Sequence, residues 1–252
     1  MNSSARTRRA SPTTDWVGAR QCAARRSSPG APSMTIGLRS GVSFCEVGDR
    51  LIFLDVRADR YFGLGASAEL AFRRAMAEFP VDKDDPPIAP LLERGILVDR
   101  APFAPRACPA PAAASESLLD LDRPRVAIHS LLGACGALAA ARATLRWTGL
   151  ASTLEQVRGS GVRKPAVASA FDRLLEVAAA FDQSARLMRS HDQCLARSIA
   201  IMHRLASLGV AAELVIGVRV RPFAAHCWVQ QGPRLISDRV DQVRSYTPIL
   251  VL

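Results

Sequence analysis

Cys194, His226 and Asp238 are the residues of this chain whose types and order suit nucleophilic chemistry. A thiol attacks a carbonyl only as its thiolate, and a neighbouring imidazole can first take its proton and later hand one to a departing amine. A carboxylate on the far side of the ring fixes its orientation and stabilises its charged form. The three residues fall within 45 positions, in the order cysteine, helix pattern, strand pattern, histidine, turn, strand pattern, aspartate. Such a set would act on an acyl group through a thioester. Each member alone has a plainer reading, since a cysteine in an amphipathic helix is most often a packing residue. Only the ordered combination points to catalysis.

The elements that must position these side chains are legible around them. Ser190 and Gln193 have capping-box spacing, and Asp192 alone also suits an N-cap. Either choice puts Cys194 in the first turn of a helix whose apolar stripe is Leu195, Ile199, Met202 and Leu205, ended by Gly209. Free N–H groups and the positive end of the helix dipole stabilise a thiolate there, and can hold an oxyanion after attack. Ala212, Leu214, Ile216, Val218 and Val220 then alternate as a strand, and Ala225–Gln230 reads as a second. His226 opens that second strand with Trp228 on the same face. A turn at Gln231-Gly232-Pro233 leads to a third strand, Leu235–Asp238, ending on the aspartate. An antiparallel hairpin would bring the histidine and aspartate together.

The competing residues are weaker. His203 is nine positions after Cys194 and half a turn out of phase, so it belongs on the opposite helix face. His191 precedes the helix without an obvious carboxylate partner, and His129 sits in an alanine-rich helix. Cys227 points away from His226 and reads as buried filler, while Cys45, Cys108 and Cys135 lack a histidine at useful spacing. None of the six cysteines forms a CxxC pair and no signal peptide precedes them. Reduced thiols in a cytoplasm are the simpler expectation, with no zinc or other metal site.

The net charge of +10 raises nucleic acid as a partner. Six arginines against the single acid Asp15 lie in residues 1–33, so half the excess sits in that segment. The remainder is interleaved with acids rather than gathered in a patch, which argues against a nucleic-acid binder. The apolar run Val126–Ala141 is interrupted by His129 and closed by Arg142, and reads as a buried helix rather than a membrane span.

Four regions emerge. Residues 1–33 are rich in Ser, Thr, Pro, Gly and Arg and read as a disordered basic tail, with Met34 an alternative start. Residues 34–100 hold three strand patterns, Val42–Glu46, Leu51–Val56 and Tyr61–Leu64. A helix capped by Ser67 and running to Phe79, with Leu70, Ala71 and Met76 inward, follows them, then a helix over Ile88–Arg94 and a strand Ile96–Val98. Together these make a small winged-helix-like module. Residues 101–123, with seven alanines and four prolines, read as a linker. Residues 124–252 contain helical patterns over Val126–Trp147, Leu154–Arg158 and Val167–Arg189, then the chemical segment. The expected fold class is α+β.

Several stretches resemble a known family. Cys194-Leu195-Ala196-Arg197-Ser198, Leu208-Gly209-Val210, Val215-Ile216-Gly217-Val218 and Phe223-Ala224-Ala225-His226-Cys227-Trp228-Val229 are similar to the lasso-peptide maturation proteases. These are the B proteins, with a microcin-J25-processing-type, transglutaminase-like (papain-type) C-terminal domain of helices on an antiparallel sheet. The family's usual His-Ala-Trp-Val reads His-Cys-Trp-Val here, and Asp238 matches the third catalytic position. Leu54-Asp55-Val56 and Arg60-Tyr61-Phe62-Gly63-Leu64 resemble the precursor-recognition element of the PqqD fold.

The resemblance implies a cytoplasmic cysteine peptidase with Cys194, His226 and Asp238 as its catalytic set. It would cut the leader from a ribosomal precursor peptide, binding the leader near Arg60, Tyr61, Phe62 and Leu64. An asparagine-synthetase-like cyclase would be its partner, closing a macrolactam on the freed amine. No cofactor would bind directly, and ATP would act through the cyclase, since the chain has no GxxxxGK[ST] loop. Rival readings are a transglutaminase-like acyltransferase, a non-catalytic peptide-binding scaffold and a winged-helix nucleic-acid binder.

Overall fold

The computed structural model describes residues 36–77, 86, 88–99, 105–122, 125–160, 170–188 and 193–252. The tail expected over residues 1–33, the Met34 start, and the caps expected at Ser190 and Asp192 lie outside them.

The N-terminal part begins with strand β1 (Gly37–Leu38), β2 (Val42–Val47), β3 (Arg50–Asp55) and β4 (Arg60–Gly63). Helices α1 (Ala66–Ala77) and α2 (Ala89–Glu93) and strand β5 (Leu97–Val98) follow. Strands β2, β3 and β4 form an antiparallel sheet in sequence order, and β1 pairs with β5. The three expected strands are present within one residue at each end. Helix α1 starts at Ala66, so Ser67 lies inside its first turn rather than capping it. Its inner face is Ala71, Phe72 and Ala75, while Leu70, expected inside, is half exposed. Phe72 takes the inward position because it meets Phe44 and Phe53 edge to face, each at 5.0 Å between ring centroids.

Alternation along the three-stranded sheet divides its side chains between two cores. Phe44, Leu51, Phe53 and Phe62 face α1 and α2 in a local core. Cys45, Ile52, Leu54 and Tyr61 face the other way, into the core of the C-terminal part. Both faces of this small sheet are therefore covered. Asp55, in the motif Leu54-Asp55-Val56, is buried; it pairs with Arg39 at 2.6 Å and accepts from the backbone N–H groups of Arg57 and Ala58, closing the turn into β4.

The segment expected to be a linker is built into the fold. Strand β6 (Glu116–Ser117) and a single 3-10 turn (Leu118–Asp120) fall inside it. Leu118 and Leu119 are buried, and β6 pairs in parallel with a later strand, so the alanine and proline content hid two apolar anchors. Helix α3 (Ile128–Gly159), α4 (Ala170–Leu187) and α5 (Gln193–Ser207) come next. Gly149, at φ +77°, breaks α3 where two separate helical patterns were expected. Strands β7 (Glu213–Val220), β8 (Phe223–Gln231) and β9 (Arg234–Leu235), helix α6 (Val240–Val243) and strand β10 (Thr247–Val251) complete the chain. The sheet order is β10-β7-β8-β9-β6.

Helix α3 is long and apolar enough to cross a bilayer by length and composition. It was expected to be buried, and only one stripe is. Ala134, Leu138, Ala141, Leu150 and Leu154 enter the common core, whereas Ile128, Leu132 and Trp147 stay exposed. An apolar helix packed along one side leaves its other apolar side uncovered.

Candidate active site

Cys194 is the second residue of α5, within the turn whose backbone N–H groups have no partner inside the helix. Ile199, Ile201 and Leu205 of this helix are buried in the core, and the hydroxyl of Ser198 donates to the carbonyl of Cys227 at 3.1 Å. That bond ties the first turns of α5 to β8 one residue beyond His226. The side-chain amide of Gln193 donates to the carbonyl of Met188, just beyond α4.

His226 sits on β8 opposite Gly217 of β7. Its ring lies between Trp228, 6.2 Å away on the same strand, and Tyr246, 5.3 Å away. Gly217 makes this arrangement feasible, since a Cβ there would stand 2.7 Å from the tip of the Trp228 ring. The indole N–H of Trp228 donates to Gln230 at 2.8 Å, and Gln230 in turn donates to the carbonyl of Ala112.

Asp238 is not at the end of a strand, as expected; β9 stops at Leu235 and the aspartate is three residues further, in the bend before α6. The register persists after β9, with the N–H of Ile236 donating to the carbonyl of Val229 and the N–H of Val229 donating to the Ser237 hydroxyl. The backbone carbonyl of Asp238 accepts from the hydroxyl of Ser117 on β6 at 2.7 Å. The presumed linker thus pins the loop that carries the carboxylate.

The Cys194 thiol and the His226 ring are close enough that each shifts the other's pKa. His226 Nε2 lies 2.9 Å from Asp238 Oδ1. Arg197, one turn after Cys194, donates to the same Asp238 oxygen at 3.1 Å, and the Ser237 hydroxyl donates to the other.

Burial opposes ionisation of the Cys194 thiol. Hydrogen bonding and charge from His226, with backbone hydrogen bonds from Cys227 and Leu195, outweigh it and hold the thiol below its ordinary range. Burial likewise disfavours the imidazolium, yet bonds to Asp238 and Cys194 raise His226 to about 9. Asp238, 3 % exposed, is held below the usual carboxylate range by His226 and Arg197 against its own desolvation. Both shifts favour a thiolate–imidazolium pair. The buried thiols behave oppositely: burial pushes Cys45 up to about 12, and Cys227 is raised as well.

A pH experiment follows from these shifts. Alkylation of Cys194 by iodoacetamide is expected to remain fast below the range of a free thiol, and to fall only as acid protonates the pair. His226→Ala should move that profile upward, because burial is then opposed only by the backbone hydrogen bonds from Cys227 and Leu195. An unchanged profile in His226→Ala contradicts the coupling.

Among the sequence-expected leader residues, Arg60 is exposed, Phe62 packs on the local core, and Tyr61 packs on the C-terminal core. Leu64 is 3 % exposed and lies beyond β4, so its side chain belongs to the local core rather than to a contact surface. His129 and His203 both line a separate cavity of about 740 Å³ among α3, α4 and α5. No group of three or more metal-ligating side chains occurs among the described residues. Arg197, Ser117, Ser237 and Tyr246 were not anticipated. Only Arg197 left a signal, through its three-residue spacing from Cys194.

The chain shares 47 % identity over 45 residues with Microcin J25-processing protein McjB of Escherichia coli, a match covering 18 % of this chain and 22 % of that protein. No solved structure matches. Residues 135–251 match the family described as the transglutaminase-like superfamily, a span that holds α5, β7, β8, the loop of Asp238 and β10. This chain carries a transglutaminase-like domain.

Proposed function

We propose that the chain is a leader peptidase of lasso-peptide biosynthesis, a cytoplasmic cysteine hydrolase. The observation that carries this reading is the His226–Asp238 hydrogen bond at 2.9 Å, with Cys194 in the first turn of α5 and near enough to His226 for its thiol to be held below its ordinary range. It is supported by the partial likeness to a protein named for processing microcin J25. The Cys194 thiolate attacks the last carbonyl of the leader, and N–H groups at the start of α5 hold the oxyanion. Collapse breaks the C–N bond, and the departing amine of the core peptide takes its proton from the His226 imidazolium. The neutral imidazole then removes a proton from water, whose oxygen attacks the thioester and releases the leader carboxylate and the thiolate. Asp238 holds the ring through both steps.

The N-terminal sheet, in this reading, is a PqqD-like winged-helix recognition element. Strand β4 is the edge of its three-stranded sheet, and an edge strand offers backbone groups to an added peptide strand. Arg60 and the backbone of Tyr61, Phe62 and Gly63 would take the leader. The freed core passes to an asparagine-synthetase-like cyclase, through which any ATP requirement acts. No nucleic acid or membrane takes part.

Incubation with a lasso-class precursor and mass spectrometry of the products tests this. Hydrolysis gives a leader ending in a carboxylate and a core with a free α-amine. Uncut precursor, or a leader carrying an amine in place of the new carboxylate, overturns it; the second outcome is acyl transfer.

A further inference from the structure

The recognition sheet and the candidate active site meet at one point. Tyr61, in the middle of β4, turns toward the C-terminal core, where Cys194 and Leu195 are also partly buried. Its ring meets Phe223 edge to face, with centroids 5.6 Å apart. Phe223 opens β8, three residues before His226, and is 52 % exposed. Burial raises the Tyr61 phenol to about 12, with Cys227, Asp59 and Cys194 near enough to add to the shift. The phenol therefore stays protonated and lies within electrostatic reach of the sulfur.

A residue serving only as glue between two parts of a fold would be enclosed by its partners. This pair is not enclosed: Tyr61 is only partly buried and Phe223 is half exposed. A peptide strand added at β4 would run beside Tyr61, whose ring touches Phe223 on the strand that carries His226. Aromatic faces and edges pack well against extended backbone and small apolar side chains, and a phenol adds a hydrogen-bond donor.

We infer that Tyr61 and Phe223 form the acyl-side wall of the cleavage cleft, contacting the peptide just upstream of the bond that Cys194 attacks. This inference rests on the peptidase reading of the same site. The recognition sheet then does more than capture the leader: it supplies a specificity-determining side chain to the cleft. The substrate it fits is an extended peptide with small or apolar residues before the scissile bond.

Two covalent probes on the full chain separate this inference from the reading beneath it. Iodoacetamide reports only whether Cys194 is ionised. Acetyl-tetra-alanyl chloromethyl ketone must also lay a peptide along the acyl side. In Tyr61→Leu and Phe223→Ala, the second-order rate of the peptidyl probe is expected to fall about tenfold, while iodoacetamide labelling stays within about twofold of wild type. Equal rates for the peptidyl probe in wild type and variants overturn the inference alone. Parallel loss with both probes also overturns it, since the residues would then act on the thiolate. A wild-type Cys194 inert to both probes removes the peptidase reading and the inference with it.

Discussion

Replacing Cys194 with alanine is expected to abolish peptide-bond cleavage, lowering kcat by roughly 10⁴-fold or more. The physical basis is that the neighbouring thiol cannot take the sulfur's place. Cys227, the adjacent thiol on β8, is buried on the opposite face of the strand with its pKa raised, so it is neither ionised nor reachable. The substitution removes one partly exposed atom at a helix end and keeps the Cβ, so the thermal midpoint should shift by no more than about 2–4 °C. Chromatographic assay of precursor cleavage alongside thermal unfolding checks both statements. Cleavage retained by a folded Cys194→Ala protein excludes this thiol as the nucleophile.

Asp238→Asn is expected to lower kcat by about 10⁴-fold while preserving the shape of the site. The carboxylate serves two cations through one oxygen, His226 at 2.9 Å and Arg197 at 3.1 Å. An amide there no longer stabilises the imidazolium and can select the wrong ring tautomer. His226 then loses its main support against desolvation, so its pKa should drop from about 9. The loss of cleavage on the alkaline side should move to lower pH accordingly. Arg197 is left with its Nε already unpaired and buried, and without a counter-charge. Stranding such a charge costs about 3 kcal/mol or more, which denaturant unfolding would register. The linkage signs differ for the two partners. The Asp238 contribution to stability is present above the unfolded carboxylate value and is lost as pH falls through the lowered folded value. That of His226 is present below about 6.5 and is lost as pH rises through about 9. A variant with kcat within tenfold of wild type contradicts the assigned role of Asp238.

Elements with local periodicity were legible before any coordinates. The α5 stripe, the alternation of β7 and β8, and the three short strands near the N-terminus each follow from spacing within a dozen residues. So did the placement of Cys194 in a first helical turn and of Trp228 beside His226. The segment over residues 101–123 misled because its composition is that of a linker, while its role depends on a few contacts distant in sequence. Ser117 reaches the carbonyl of Asp238 across 121 positions, and Ala112 receives Gln230 across 118. No local pattern encodes such partners.

The order of the chemical residues, the helix end that carries the thiol and the hairpin that carries the histidine were determined by sequence, because each depends on near neighbours and on backbone periodicity. What tertiary structure alone decided is how the charges close: Arg197 sharing the Asp238 oxygen, Ser117 pinning the loop, and Tyr61 leaving its own sheet to stand beside Phe223. Those contacts depend on which faces pack together. A strand with apolar residues on both faces leaves that choice open until both partners are present.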